Sequence, residues 1–244
     1  MANYLNQPTL AADFLAPPKT TYDVVGSSID GGRNGFGESQ SIEMSGGGIV
    51  SATYEDCKIK EPEQYEYINW LGARLNGGFR YINVPIITDW FGPFPKNGKL
   101  PNPIFKGIPH SDGSVFDDGS GYSQATVWGE VLEDAPVNAG VIAMRVYGLS
   151  RPLRWSDWFS IYHSTAKGWR AYRYWDVLSA TAGDGFTDYS LAISPPLREA
   201  TPASTRVEFA RPRFVAKFRP DFTLPSVVEA FFVTQQTIQF SEAF

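Results

Sequence analysis

One cysteine, Cys57, and two histidines, His110 and His163, are the only thiol and imidazole groups in the 244-residue chain. A lone cysteine excludes an intramolecular disulfide, and so few soft ligands exclude a closed tetrahedral zinc site. Long apolar runs are missing too, since none approaches the roughly 18 uncharged residues a membrane-spanning helix needs. The opening "MANYLNQPTLAADFLAPPK" has neither a basic start nor a continuous apolar core, so it is not read as a secretion signal. Positive charge is not in excess: a formal net charge of −5 gives no broad pull toward phosphate backbones or anionic lipid. Also absent are G-x-S-x-G, G-x-G-x-x-G, the P-loop and H-E-x-x-H. The expectation is a soluble protein that folds in a reducing cytoplasm, relies on packing, and has no cofactor, no metal and no direct nucleic-acid partner.

What the chain does have is aromatic and turn-forming residues. Hydrophobic residues make up 43%, enough for one large core or two small ones. The 23 glycines and 18 prolines punctuate the chain too often for long helices to dominate, and 15% aromatics favour strands. "GSSIDGGRNGFGESQ" (26–40) reads as a flexible loop or arm whose order depends on a partner. "QSIEMSGG" and "IVSATYEDCKI" read as a β-hairpin turning at Gly46–Gly48. The one convincing helix spans 62–76. Pro62 suits its first position, Glu61 and Glu63 suit the positive end of its dipole, and Gly77 can supply a left-handed stop. Ile68, Leu71 and Leu75 share an apolar face beside Tyr67 and Trp70.

"FRYINVPII" reads as a strand. Residues 88–124 then form a long Pro- and Gly-rich stretch carrying Trp90, Phe91, Phe94, Phe105 and Phe116, and rings in such a loop suit a protein interface. From Ala125 onward, closely spaced runs including "GVIAMRVYGL", "DWFSIYH", "WRAYRYWDVL", "DYSLAIS", "TRVEF" and "RFVAKF" indicate a small barrel or sandwich. The closing "TIQFSEAF" is expected to pair with the N-terminal domain.

Candidate chemistry is sparse. His110 stands near Ser111, Asp112, Asp117 and Asp118, but adjacency in sequence does not make a triad, and the acidic spacing misses the calcium-loop pattern. A polar turn is the expected reading. His163, at a strand end, is expected to be solvent-facing or hydrogen-bonded. Asp56 with Glu61, or Asp184 with Asp188, are carboxylate pairs of the type glycoside hydrolysis uses, though acidic residues in Gly-rich turns are more often turn formers. "KGWRAYRYWDV" interleaves Lys167, Arg170 and Arg173 with aromatics. Trp169, Tyr172 and Trp175 are therefore candidate glycan-facing rings, and the competing reading is a barrel strand with one ring set inside and Arg stems across the outer rings.

The segment "LRWSDWFSIYH…YRYWDVLSA…AGDGFTDYSLAISPPLREATPASTRVEFARPRFVAKFRP" resembles tail-tip proteins of long-tailed bacteriophages, the distal tail proteins of the baseplate hub. Phe159 and Ile161 match an F-x-I strand, Tyr174 and Val177 a second strand, and Pro195, Pro196, Leu197 and Arg198 a PPLR strand end. Val207 and Phe209 match a V-x-F strand, and "IQFSEAF" resembles the closing strand. The match covers roughly 147–219 and the extreme C-terminus. "RWSD" stands where the family often has an A-G-D turn.

The resemblance implies a mainly β fold with one short α-helix. A β-sandwich ring-forming domain (1–125 plus 220–244) would carry a small OB-like or galectin-like barrel (126–219). It implies a non-enzymatic structural virion protein of the tail tip, synthesised in the host cytoplasm, whose copies form a ring, usually of six. Its partners would be its own copies, tail-tube protein and tail hub or tip proteins. The candidate inter-subunit contacts are Trp90, Phe91, Phe94 and Phe105. The alternative is a carbohydrate- or receptor-binding β module facing a host surface glycan.

Overall fold

The computed structural model describes residues 3–26, 28–43, 46–87, 96–97, 100–101, 114, 127–155, 157–226 and 234–244. These residues form a mainly β protein with two short helices, a five-stranded antiparallel sheet and a closed six-stranded antiparallel barrel. In chain order the elements are α1 (Ala12–Leu15), β1 (Lys19–Val25), β2 (Ser28–Arg33), β3 (Ser39–Glu43), β4 (Ile49–Ile59), α2 (Pro62–Leu75), β5 (Ile82–Pro85), β6 (Lys96–Asn97) and β7 (Leu100–Pro101). There follow β8 (Trp128–Val131), β9 (Val141–Tyr147), β10 (Trp158–His163), β11 (Gly168–Ala182), β12 (Phe186–Ser194), β13 (Arg206–Glu208), β14 (Arg213–Phe218) and β15 (Thr234–Glu242).

The sheet runs β1-β4-β15-β14-β5, so the C-terminal strand occupies its middle. Helix α2 covers one face. Its start is set by Glu61 and Gln64, which form a reciprocal capping box around Pro62, and Gly77 just past its end has a φ of +98° that a residue with a side chain rarely adopts. Ile68, Leu71 and Leu75 are buried against Val50, Ala52, Tyr54, Phe214, Ala216 and Phe240 of the sheet. Full burial of each such side chain is worth about 1.5–3 kcal/mol, which is what a short helix needs to persist. Cys57 lies in this core, where burial pushes its thiol up to about 11, so it behaves as a small hydrophobe.

Strand β4 shows how the register is kept. Val50, Ala52 and Tyr54 face the core with period two, and then Cys57 and Ile59 do so one residue out of phase. Asp56, with a φ of +53°, absorbs the extra residue, and the pairing with β15 shifts between Gln236 and Ile238 at the same place. This β-bulge returns the apolar side chains to the core after the slip.

The barrel closes in the order β10-β11-β12-β9-β8-β13. Ile142, Met144 and Val146 of β9, Phe159 and Ile161 of β10, Tyr172 and Tyr174 of β11, and Val207 fill its interior. Strand β11 outlasts its neighbour: residues 168–173 pair with β10, whereas 176–182 pair only with β12, across two register shifts. The barrel's outer side contributes Trp158 and Ala171 to the core of the sheet, so the two lobes share apolar contact.

Three expectations are corrected. Residues 26–40 are not loop alone, because β2 and β3 pair as an antiparallel ribbon. Consequently β3 does not hairpin with β4, which pairs instead with β1 and β15. The physical reason is the glycine run: Gly46, Gly47 and Gly48 all have positive φ and carry the chain beneath the barrel, with Gly47 pressed against the Pro196 ring. Strand β14, expected among the barrel strands, joins the sheet, because Phe214, Ala216 and Phe218 face the apolar side of α2. Trp90, Phe91, Phe94, Phe105 and His110 lie outside the described residues.

A Cβ on Gly47 would collide with Pro196 and hold a left-handed φ of +89°. Gly47→Ala is therefore expected to lower unfolding free energy by about 1–3 kcal/mol in urea denaturation.

Candidate functional site

Where the lobes meet, Glu242 of β15 is fully enclosed and receives two guanidinium groups. Arg170 Nη1 donates to Oε1 at 3.0 Å, and Arg198 Nη2 donates to Oε2 at 3.2 Å. The Val50 N–H donates to Oε2 as well, at 3.2 Å. Arg170 also donates to the Ala243 and Lys167 carbonyls. Arg198 donates to the carbonyls of Gly46 and Gly48. Both guanidinium groups lie over the Phe244 ring, at 5.3 and 4.7 Å from its centroid. The clasp thus joins the barrel (Arg170, Arg198), the closing strand (Glu242) and the glycine run.

The PPLR segment supplies one half of this clasp. Leu197 is buried in the barrel core, so the next residue, Arg198, must leave the barrel toward the sheet. The Ser194–Pro195 bond preceding it is cis. A buried hydrogen-bond chain runs from here into the barrel. The Arg198 N–H donates to the Tyr172 hydroxyl at 3.1 Å, and that hydroxyl lies 2.7 Å from His163 Nε2. His163 is therefore a hydrogen-bonded interior residue. Burial, chiefly, with Arg170 nearby, lowers its pKa to about 4, although Glu199 acts to raise it. Burial also acts to raise the Glu199 carboxyl. Its bonds from Thr165, Lys167 and Ala166, with His163 a minor neighbour, outweigh that and hold it below its ordinary value.

The other residues singled out in the sequence are dispersed. Tyr172 is inside the barrel and cannot face a glycan. Trp169 sits on the outer face of β11, tilted against Tyr162 and covered by Arg213 at 4.6 Å. Trp175 is 64% exposed. The three rings do not converge. Of the carboxylates, Asp56 forms the bulge, the Glu61 side chain caps α2, and Asp188 is held bidentately by Arg145 at 2.7 and 2.9 Å. No group of three or more His, Cys, Asp or Glu residues fit to hold a metal occurs among the described residues.

Two surface features were not legible as sites in the sequence. The β2–β3 ribbon sets Ile29 opposite Ile42, both exposed, with Phe36 93% exposed in the connecting turn. A cleft of about 510 Å³ is lined by Leu153, Arg154, Trp155, Tyr174, Asp176 and Val177, beside the point where β11 outlasts β10. Its signal was Trp155 among the polar residues of "RWSD". The clasp had no comparable signal, since Arg170 and Glu242 are far apart in sequence.

Set against known proteins, the chain matches no family model and no curated sequence.

Removing the clasp carboxylate strands two buried guanidinium groups. Glu242→Ala is expected to cost about 3–5 kcal/mol in denaturant unfolding. His163 gives a pH signature. Above about 6.5 its imidazole is neutral in both folded and unfolded chains, and stability is intact. As pH falls toward 4, the unfolded chain takes up a proton that the folded one refuses, so stability is lost at up to about 1.4 kcal/mol per pH unit. His163→Gln is expected to flatten that part of the stability–pH curve relative to the parent protein.

Proposed function

We propose that this chain is a structural protein of a bacteriophage tail tip, a distal tail protein whose copies close into a ring between the tail tube and the tail-tip proteins. The observation that carries the reading is the role of the residues that bear the resemblance. Leu197 and Arg198 of the PPLR segment, with Glu242 of the closing strand, tie barrel to sheet through a buried network. A resemblance confined to these segments is what a family defined by such a two-lobed block would leave.

The physics of the block agrees with a role in assembly. Buried ionic and apolar contacts fix the lobes against each other, and such a rigid unit loses little conformational entropy when it packs into a ring. Head-to-tail contacts that close by rotation need two different surfaces on each copy. The β2–β3 ribbon is the candidate for one, since Ile29, Ile42 and Phe36 stand uncovered on an element whose described side chains are all exposed. The ring would be of six copies, with the barrel facing outward from the virion tail. The alternative glycan module built on Trp169, Tyr172 and Trp175 has no supporting geometry, because Tyr172 is interior.

Purified protein, alone or mixed with tail-tube protein, is expected to form rings visible by negative-stain microscopy. Ile29→Asp combined with Ile42→Asp should leave the circular dichroism spectrum unchanged and shift light-scattering mass toward the monomer. A parent protein that stays monomeric in both settings would count decisively against the reading.

A further inference from the structure

Four of the described tryptophans have a ring or a cation against them. Trp70 is stacked on Tyr67 and lies under Arg74, Trp128 is stacked on Tyr147 and lies under Arg206, Trp158 lies under Arg173, and Trp169 lies between Tyr162 and Arg213. Trp155 and Trp175 have no ring or cation partner among the described residues, and Trp155 borders a cavity. It is 72% exposed, which leaves an open indole at the edge of the cleft. A cleft of about 510 Å³ lies within the roughly 300–1,000 Å³ typical of small-molecule sites.

The rest of the lining narrows the chemistry. Arg154 is exposed, and its guanidinium makes no ion pair or hydrogen bond among the described residues. Asp176 spends one carboxylate oxygen on the Val177 N–H at 2.9 Å and keeps the other. The buried hydroxyl of Tyr174 has no hydrogen-bond partner among the described residues. One cation and one anion give the cleft no net charge, so neither a phosphate nor an amine is favoured. An aromatic face beside a planar donor and a planar acceptor suits a neutral polyol ring, whose C–H face stacks on indole while its hydroxyls bond to guanidinium and carboxylate.

An extended peptide is the rival occupant, since beyond residue 173 no described strand pairs with the side of β11 that faced β10. The register shifts at Tyr174/Asp176 and Val177/Ser179 lie in the ladder with β12, and bulges of this kind bend β11 as a whole, which makes its other side an irregular template for strand addition.

We infer that the cleft between Leu153–Trp155 and Tyr174–Val177 binds a neutral saccharide, with Trp155 as the stacking platform and Arg154 and Asp176 as the hydroxyl ligands. This site is distinct from the Trp169, Tyr172 and Trp175 set, and it does not depend on ring assembly.

The test uses the full chain with glucose, galactose, mannose, rhamnose, N-acetylglucosamine, N-acetylgalactosamine and their short oligomers as probes. Saturation-transfer NMR and tryptophan fluorescence are the readouts. At least one probe is expected to bind with a Kd of about 1 mM or tighter. Trp155→Ala should weaken that probe by about tenfold or more, Asp176→Asn and Arg154→Ala by several-fold, and Trp175→Ala not at all. Trp155→Phe, which keeps a ring, should retain part of the affinity and guards against a folding defect. The inference is overturned by absence of binding across the panel up to about 50 mM. It is equally overturned by binding that Trp155→Ala leaves intact. Loss of copy-to-copy association in Trp155→Ala without any saccharide binding would reassign the cleft to a protein contact and also overturn it.

Discussion

A carboxylate sealed from water between two guanidinium groups is the constraint on which the arrangement of this molecule depends. Glu242 has no exposed surface, and neither has Arg170. Taking such ions out of water costs several kcal/mol each, and their attraction repays that only if every partner is in place at once. A cluster of this kind adds little net stability when whole, and removing one partner is costly because it leaves charge buried without a counterpart. An arrangement of barrel on sheet that missed it would strand charge in a dry interface. The carbonyls of Gly46, Gly48, Lys167 and Ala243 accept further bonds, so four chain segments must agree on one geometry, while Arg170 Nη2 and Arg198 Nε have no partner among the described residues.

Around this centre the protein divides its aromatic residues into two uses. Some fill the two cores: Tyr54, Phe214 and Phe240 beneath α2, and Phe159, Tyr172 and Phe209 inside the barrel. Others run in rows over the barrel surface, where Trp128, Tyr147 and Phe186 lean on one another between Arg206 and Arg145. Such rows shield strand backbones and occupy ring faces that would otherwise bind other molecules. Trp155, Trp175 and Phe36 depart from this habit, and of these Trp155 lines the cleft beside β11.

Much of the fold was legible in the residues. Helix α2 was visible because its cap, its first-turn proline, its apolar period and its terminal glycine all agree. The short β runs after Ala125 and the apolar terminal strand were legible for the same reason, since local pattern and burial coincide. The errors arose where local pattern was outvoted by distant partners. Nothing within 26–48 tells β3 to choose β2 over β4, because the glycine run looks like a hairpin turn until Pro196 and Arg198 are brought against it. Strand β14 has the same alternation as its barrel neighbours, and only the apolar face of α2 draws it away. In β11 the reading of a barrel strand with one ring set inside is the one observed, with Tyr172 and Tyr174 inward and Trp169 and Trp175 outward.

The position of β15 also governs the order in which the molecule can be completed. This strand runs through the middle of a sheet whose other members come from residues 19–25, 49–59, 82–85 and 213–218. On a ribosome, the contiguous barrel strands can collapse as soon as residue 208 has emerged. The earlier lobe must wait with its apolar face open, because β4 and β14 have no direct partnership and meet only through the last strand. Long-range closure of this kind is slow and exposes the nascent chain to mispairing. The half of the protein made first is thus the half finished last.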